Sequence, residues 1–136
     1  MKKLLLILTS VMLLMTSCSG DGDNNLPEWV TYDKTKGYLT NLESAKYGLI
    51  GTWKISFEDG TTITYKFDGT NFFETFDYGD DYPQGTLVST YSVIFENSKY
   101  YILITSLGIP QEILKLNKTK LYWRLGCTDD YHYIRQ

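Results

Sequence analysis

A thiol and an imidazole, Cys127 and His132, are the first side chains in this 136-residue chain to invite a chemical reading. With Asp129 and Asp130 between them, they have the residue types of a nucleophile, a base and an orienting carboxylate. That chemistry needs sulfur and ring within hydrogen-bond reach, and nothing in the spacing turns one toward the other. His132 is the only histidine, so a multi-histidine metal centre is excluded and a Cys–His zinc site lacks ligands. Cys127 is read as a buried or spare thiol, and no catalytic residue, metal or cofactor is assigned. Asp77, Asp80 and Asp81 gather oxygens, but calcium asks for roughly six to eight in a set frame, and this spacing fits none. The reading there is a solvated hairpin loop, with Tyr78, Tyr82 and Pro83 offering flat faces to a sugar or a peptide.

Glu74 is the most informative carboxylate. Strict alternation puts it on one face with Phe72, Phe76 and Tyr78, leaving Phe73, Thr75 and Asp77 opposite. Inside a barrel, a carboxylate among rings is costly unless paired, and it would receive a cationic or hydroxylated ligand. Against this, the adjacent rings Phe72 and Phe73 are the kind of doublet that marks a bulge and flips the register. The flipped or outward reading is preferred from sequence. Tyr65, Glu74, Tyr78, Tyr82 and Tyr91 form the candidate ligand-binding set.

The elements that must position these residues follow a period of two from Thr52 onward. Trp53, Ile55 and Phe57 alternate with polar residues, Asp59-Gly60 turns the chain, and Ile63, Tyr65 and Phe67 alternate again before Asp68-Gly69. Further strands are expected at about Asn71 to Tyr78, Thr86 to Glu96, Tyr100 to Ser106, Gln111 to Leu116, Lys120 to Leu125 and Tyr131 to Arg135. Asn41 caps a short helix, Leu42 to Tyr47, which Gly48 is expected to end, with Leu42 and Tyr47 closing one mouth. Short strands between turn signals, joined without a long crossover, predict an all-β fold: a small up-and-down antiparallel barrel of about eight strands. A Greek-key sandwich is the alternative, and the even loop lengths favour the barrel.

Ahead of the strands the chain changes character. Lys2 and Lys3 precede an apolar run from Leu4 to Met15, which is too short to span a bilayer as a helix and has the form of an export signal. Leu14-Met15-Thr16-Ser17-Cys18 resembles the lipobox of bacterial lipoproteins, although Met15 stands where that family usually has Leu. The resemblance implies lipidation at Cys18, a signal peptide over residues 1–17, and a place at the bacterial outer membrane on its periplasmic or cell-surface side. Residues 18–40 are read as lipidated Cys and polar tether, with Trp29 and Val30 able to pack on the domain, and residues 41–136 as the folded unit. Net charge is −3, and removing the leader makes the chain more acidic. Without a basic cluster, nucleic acid is excluded as a partner.

Gly51-Thr52-Trp53, opening a strand meander after a helical turn, looks like the Gly-x-Trp start of lipocalins. The span from about residue 49 to 136 is similar to the small lipocalin-like domains of bacterial lipoproteins, with Tyr65-Lys66-Phe67-Asp68-Gly69 and Tyr133-Ile134-Arg135 in matching places. In that family the Trp plugs one barrel end and a late Arg stacks on it, roles that fall to Trp53 and to Arg135, with Arg124 as substitute. Full-size lipocalins are much longer, and from Gly51 onward this chain carries two Trp, six Phe and nine Tyr. A barrel of this size holds side chains or one small ligand, so a small pocket at the open mouth is expected rather than a deep cup. The function this implies is a lipid-anchored, monomeric binding module for a small apolar or aromatic ligand. The alternative is an accessory lipoprotein that docks a protein or glycan on its outer surface.

Overall fold

The computed structural model describes residues 26–79, 84–125 and 129–136. One helix, α1 (Leu42–Leu49), precedes eight strands: β1 (Gly51–Ser56), β2 (Thr62–Phe67), β3 (Asn71–Asp77), β4 (Gly85–Glu96), β5 (Lys99–Ile104), β6 (Pro110–Leu116), β7 (Lys120–Leu125) and β8 (Asp129–Arg135). Each strand pairs antiparallel with the next, and β8 returns to β1 through Trp53↔Arg135 and Lys54↔Ile134. The Gln136 amide adds a bond of 2.9 Å to the Thr52 carbonyl. The result is a closed barrel, which leaves no free sheet edge.

The turns use the chemistry that the sequence offers. Asp59 Oδ1 accepts the Thr61 amide at 2.8 Å, and Asp68 Oδ1 accepts those of Thr70 and Asn71 at 2.9 and 2.6 Å. These backbone donors hold both carboxyls below the usual aspartate range. The following glycines, Gly60 at φ 88° and Gly69 at φ 103°, take the left-handed conformation that a side chain would resist.

Two local expectations are corrected. Gly48 does not end the helix, which continues to Leu49. A Cβ on Gly48 would stand 2.3 Å from the Tyr38 ring, so the residue is glycine because a buried ring lies against the helix there. The bulge expected at Phe72-Phe73 is absent: β3 stays in unbroken register with β2 and with β4. The register shifts instead between Ile113 and Lys115 in β6.

The segment ahead of the helix is packed as well. Val30 and Tyr38 are buried in the same core as the barrel residues, and the Tyr38 amide donates to the Leu116 carbonyl at 2.8 Å. Thr31 donates its amide to Ser44 Oγ at 2.8 Å, and Trp29 meets Tyr47 edge to face at 5.7 Å. Packing therefore extends N-terminally of residue 41, over the end of the barrel that the helix covers. Among the described residues, no helix is long and apolar enough to cross a membrane.

The Gly48 contact gives a test with an inverted sign. In an exposed helix interior, Gly→Ala gains about 1 kcal/mol. Here Gly48→Ala is expected to lose about 1–3 kcal/mol, because the new methyl must displace a packed ring. A urea midpoint that rises in this variant would contradict the packing described.

Candidate functional site

Alternation decides which side chains look inward, and the pairing keeps them in phase around the wall. Trp53 pairs with Tyr65, Tyr65 with Glu74, and Glu74 with Leu87. Between β7 and β8, Trp123 pairs with Tyr131 and Leu121 with Tyr133. The inward set is therefore rich in rings, and most of the interior is filled by them.

At one end the barrel is shut. Trp53 is fully buried, its Nε1–H donates to the Leu49 carbonyl at 2.9 Å, and the Arg135 guanidinium lies 4.2 Å from its ring centroid. Arg135 also donates from Nη1 to the Ile50 carbonyl at 2.9 Å and from Nη2 to the Gly48 carbonyl at 2.5 Å. The cation thus answers the free carbonyls at the C-terminus of α1 while stacking on the plug. Gly51 makes room for this: at φ 141°, a Cβ there would come within 2.6 Å of Arg135 Nη1. Arg124, the expected substitute, instead pairs with Asp130 at 2.8 Å. The helix seals through Ala45 and Leu49, both fully buried, while Leu42 and Tyr47 pack partly buried at the margin.

Above the plug lies a continuous aromatic cluster. The Tyr65 ring stands 4.9 Å from Phe72, 4.9 Å from Trp123 and 4.8 Å from Tyr133, centroid to centroid. Phe67 extends it toward Tyr91 at 4.9 Å. Such ring pairs add to the hydrophobic gain of burial and leave little free volume. Burial, followed by the neighbouring Tyr133 and Glu74, raises the Tyr65 phenol far above its ordinary titration range. Burial likewise comes first in raising Tyr133. Both phenols therefore stay protonated wherever the protein is folded at ordinary pH.

At the other end the interior is open. A cavity of about 280 Å³ is lined by Ile63, Phe76 and Leu107 near the rim and by Tyr65, Glu74, Gln111, Trp123, Tyr131 and Tyr133 further in. Among the described residues, Glu74 is the one charged residue of that lining. It faces the interior because β3 has no bulge, which reverses the outward reading preferred from sequence. Gln111 is buried in an inward slot of β6, facing the same space. A shallower trough of about 400 Å³ along the β3–β4 ribbon is lined by Glu74, Phe76, Tyr78, Gly85, Thr86 and Leu87. Glu74 and Phe76 belong to both hollows, so they form the threshold between them.

The candidate set is thus divided. Tyr65, Glu74 and Tyr78 share the open end, with Tyr78 exposed and stacked on Phe76 at 5.9 Å. Tyr91 lies toward the helix end, where its hydroxyl accepts the Gly69 amide at 3.1 Å. There it lines a separate groove with Trp29, Tyr47 and Ile50. Tyr82 lies outside the described residues, as do Cys18, Asp80, Asp81, Pro83 and Cys127. His132 stacks on Tyr122 at 3.9 Å, on strand positions opposite in phase to Trp123 and Tyr133, and therefore on the outer face. Among the described residues, no group of three or more His, Cys, Asp or Glu could hold a metal ion.

Sequence reasoning missed Leu107, Gln111, Trp123, Tyr131 and Tyr133 as lining. The last two share the parity of Arg135, which was assigned inward, so extending that alternation back along β8 finds them. Leu107 belongs to a turn and carries no such signal. The chain matches no family model, no curated protein and no solved structure with which it was compared.

Proposed function

We propose that this chain is a lipocalin-like binding module, held at the outer membrane through lipid on Cys18, which takes a small aromatic or apolar ligand at its open mouth. The observation that carries the reading is the cavity walled by Tyr65, Phe76, Trp123, Tyr131 and Tyr133 at the unplugged end of a closed barrel. Drug-sized sites usually occupy about 300–1,000 Å³, so one of about 280 Å³ suits a single ring system with a short substituent. The Gly51-Thr52-Trp53 opening and the Arg135 stack on Trp53 support the family resemblance. The anchor rests on the sequence of the leader.

Trp123 lines the cavity, so its fluorescence reports entry. Titrating small aromatic compounds into the protein is expected to give a saturable change with dissociation constants below about 1 mM. Heat on mixing should track the same curve. Absence of saturation across the panel overturns the reading. The docking alternative calls for a patch of exposed Tyr on the outer wall, and among the described tyrosines Tyr78 alone is exposed.

A further inference from the structure

We propose, resting on the binding reading above, that the ligand is a cation: a small aromatic or alkyl amine whose ammonium group sits at Glu74. Three observations converge. Among the described residues, Glu74 is the one charged residue of the inner cavity and of the trough beside it, so their field at the threshold has one sign. The wall around it is aromatic, and ring faces attract a cation as well as bury apolar surface. Tyr65 and Tyr133 stay protonated, so neither adds a competing negative charge. The Tyr65 hydroxyl hydrogen-bonds to Glu74, and a carboxylate has further acceptor sites with which to receive an ammonium.

The same arrangement selects against other ligands. A fatty acid or other anion would bring its carboxylate against Glu74 with no lysine or arginine among the described residues of either lining to receive it. A neutral ring keeps the stacking and loses the charge contact. Gln111, inside the cavity, has room to bond a hydroxyl or amide at the far end of the ligand. The expected order is therefore amine, then neutral isostere, then acid.

Three near-isosteric probes test it on the intact protein: phenethylamine, 2-phenylethanol and phenylacetate. Phenethylamine is expected to bind about tenfold more tightly than 2-phenylethanol, and phenylacetate more weakly than either. In Glu74→Gln the ratio of the first two affinities should fall to within about twofold, whereas Glu74→Asp, which keeps the charge, should retain a preference for the amine. Circular dichroism of both variants separates a lost contact from a lost fold. Equal binding of amine and alcohol by the native protein overturns the cation assignment and leaves the binding module standing. A preference that survives in a folded Glu74→Gln also overturns it. If none of the three binds, both readings fall together.

Discussion

Above about pH 10 the protein is expected to lose stability at roughly 2.7 kcal/mol per pH unit, the slope for two protons that the unfolded chain releases and the folded one keeps. Tyr65 and Tyr133 supply those protons. An exposed tyrosine titrates near pH 10, whereas burial and the adjacent groups raise both phenols well above that in the folded state. The sign follows directly. A group with a raised folded pKa contributes its full stability below the unfolded value and loses it as the pH climbs from there toward the folded value. Tyr38, Tyr91 and Tyr100 are raised too, with burial first in each case, and they steepen the fall. By pH 12 the loss from Tyr65 and Tyr133 reaches about 5 kcal/mol, comparable with the whole stability of a small domain. Urea midpoints between pH 8 and 12 measure the effect, and Tyr65→Phe should roughly halve the slope. Flat stability across that range would mean that these phenols are not buried as described.

The second large effect belongs to the plug. Trp53→Ala leaves a cavity where a fully buried indole stood and strips the Leu49 carbonyl of its donor, an expected loss of about 4 kcal/mol. Arg135→Ala removes two charged hydrogen bonds to the end of α1 together with the stack on the ring, about 3 kcal/mol. For a domain of this size that is a fall in Tm on the order of 15 °C. Because the two side chains touch, the double variant should fall short of the sum by about 1 kcal/mol. Arg135→Lys should rescue little: one ammonium cannot serve two carbonyls and lie flat on an indole at once. Thermal melts of the four variants against the native protein decide it. Additive losses would show that the stack contributes nothing of its own.

The parts of the fold that were legible before the structure are those where a local rule meets no competitor. Asn41 caps α1, its side chain accepting the Ser44 amide at 2.8 Å, and the helix begins where that residue type predicts. Asp-Gly pairs turn the first two hairpins, and period-two alternation places the eight strands within about two residues of their observed ends. The Arg135 stack on Trp53 is expected from the resemblance to lipocalins, with Arg124 as substitute, rather than from alternation.

The failures have physical causes as well. The doublet Phe72-Phe73 reads as a sign of a bulge because adjacent rings often mark one, yet Phe73 keeps its place on the outer face. Lys66 lies over that ring at 5.6 Å, so the outer face carries it without any change of register. With the bulge gone, Glu74 points inward, and the threshold of the site follows from that one residue. The real irregularity, in β6, was hidden by the run Ile113-Leu114, where two adjacent apolar residues give alternation no phase. Val30 packs on the domain as expected, whereas the burial of Tyr38 against the helix has no period to detect, since irregular backbone reveals its contacts only in three dimensions.

Everything from Leu26 to Ile50 is gathered at the shut end of the barrel, and the cavity opens at the other. The described N-terminal segment thus lies behind the stopper, and the cavity mouth is left clear of it. Among the described residues the far end is filled by Trp53 and covered by α1, so on the binding reading proposed above a ligand that enters past Glu74 leaves by the same rim.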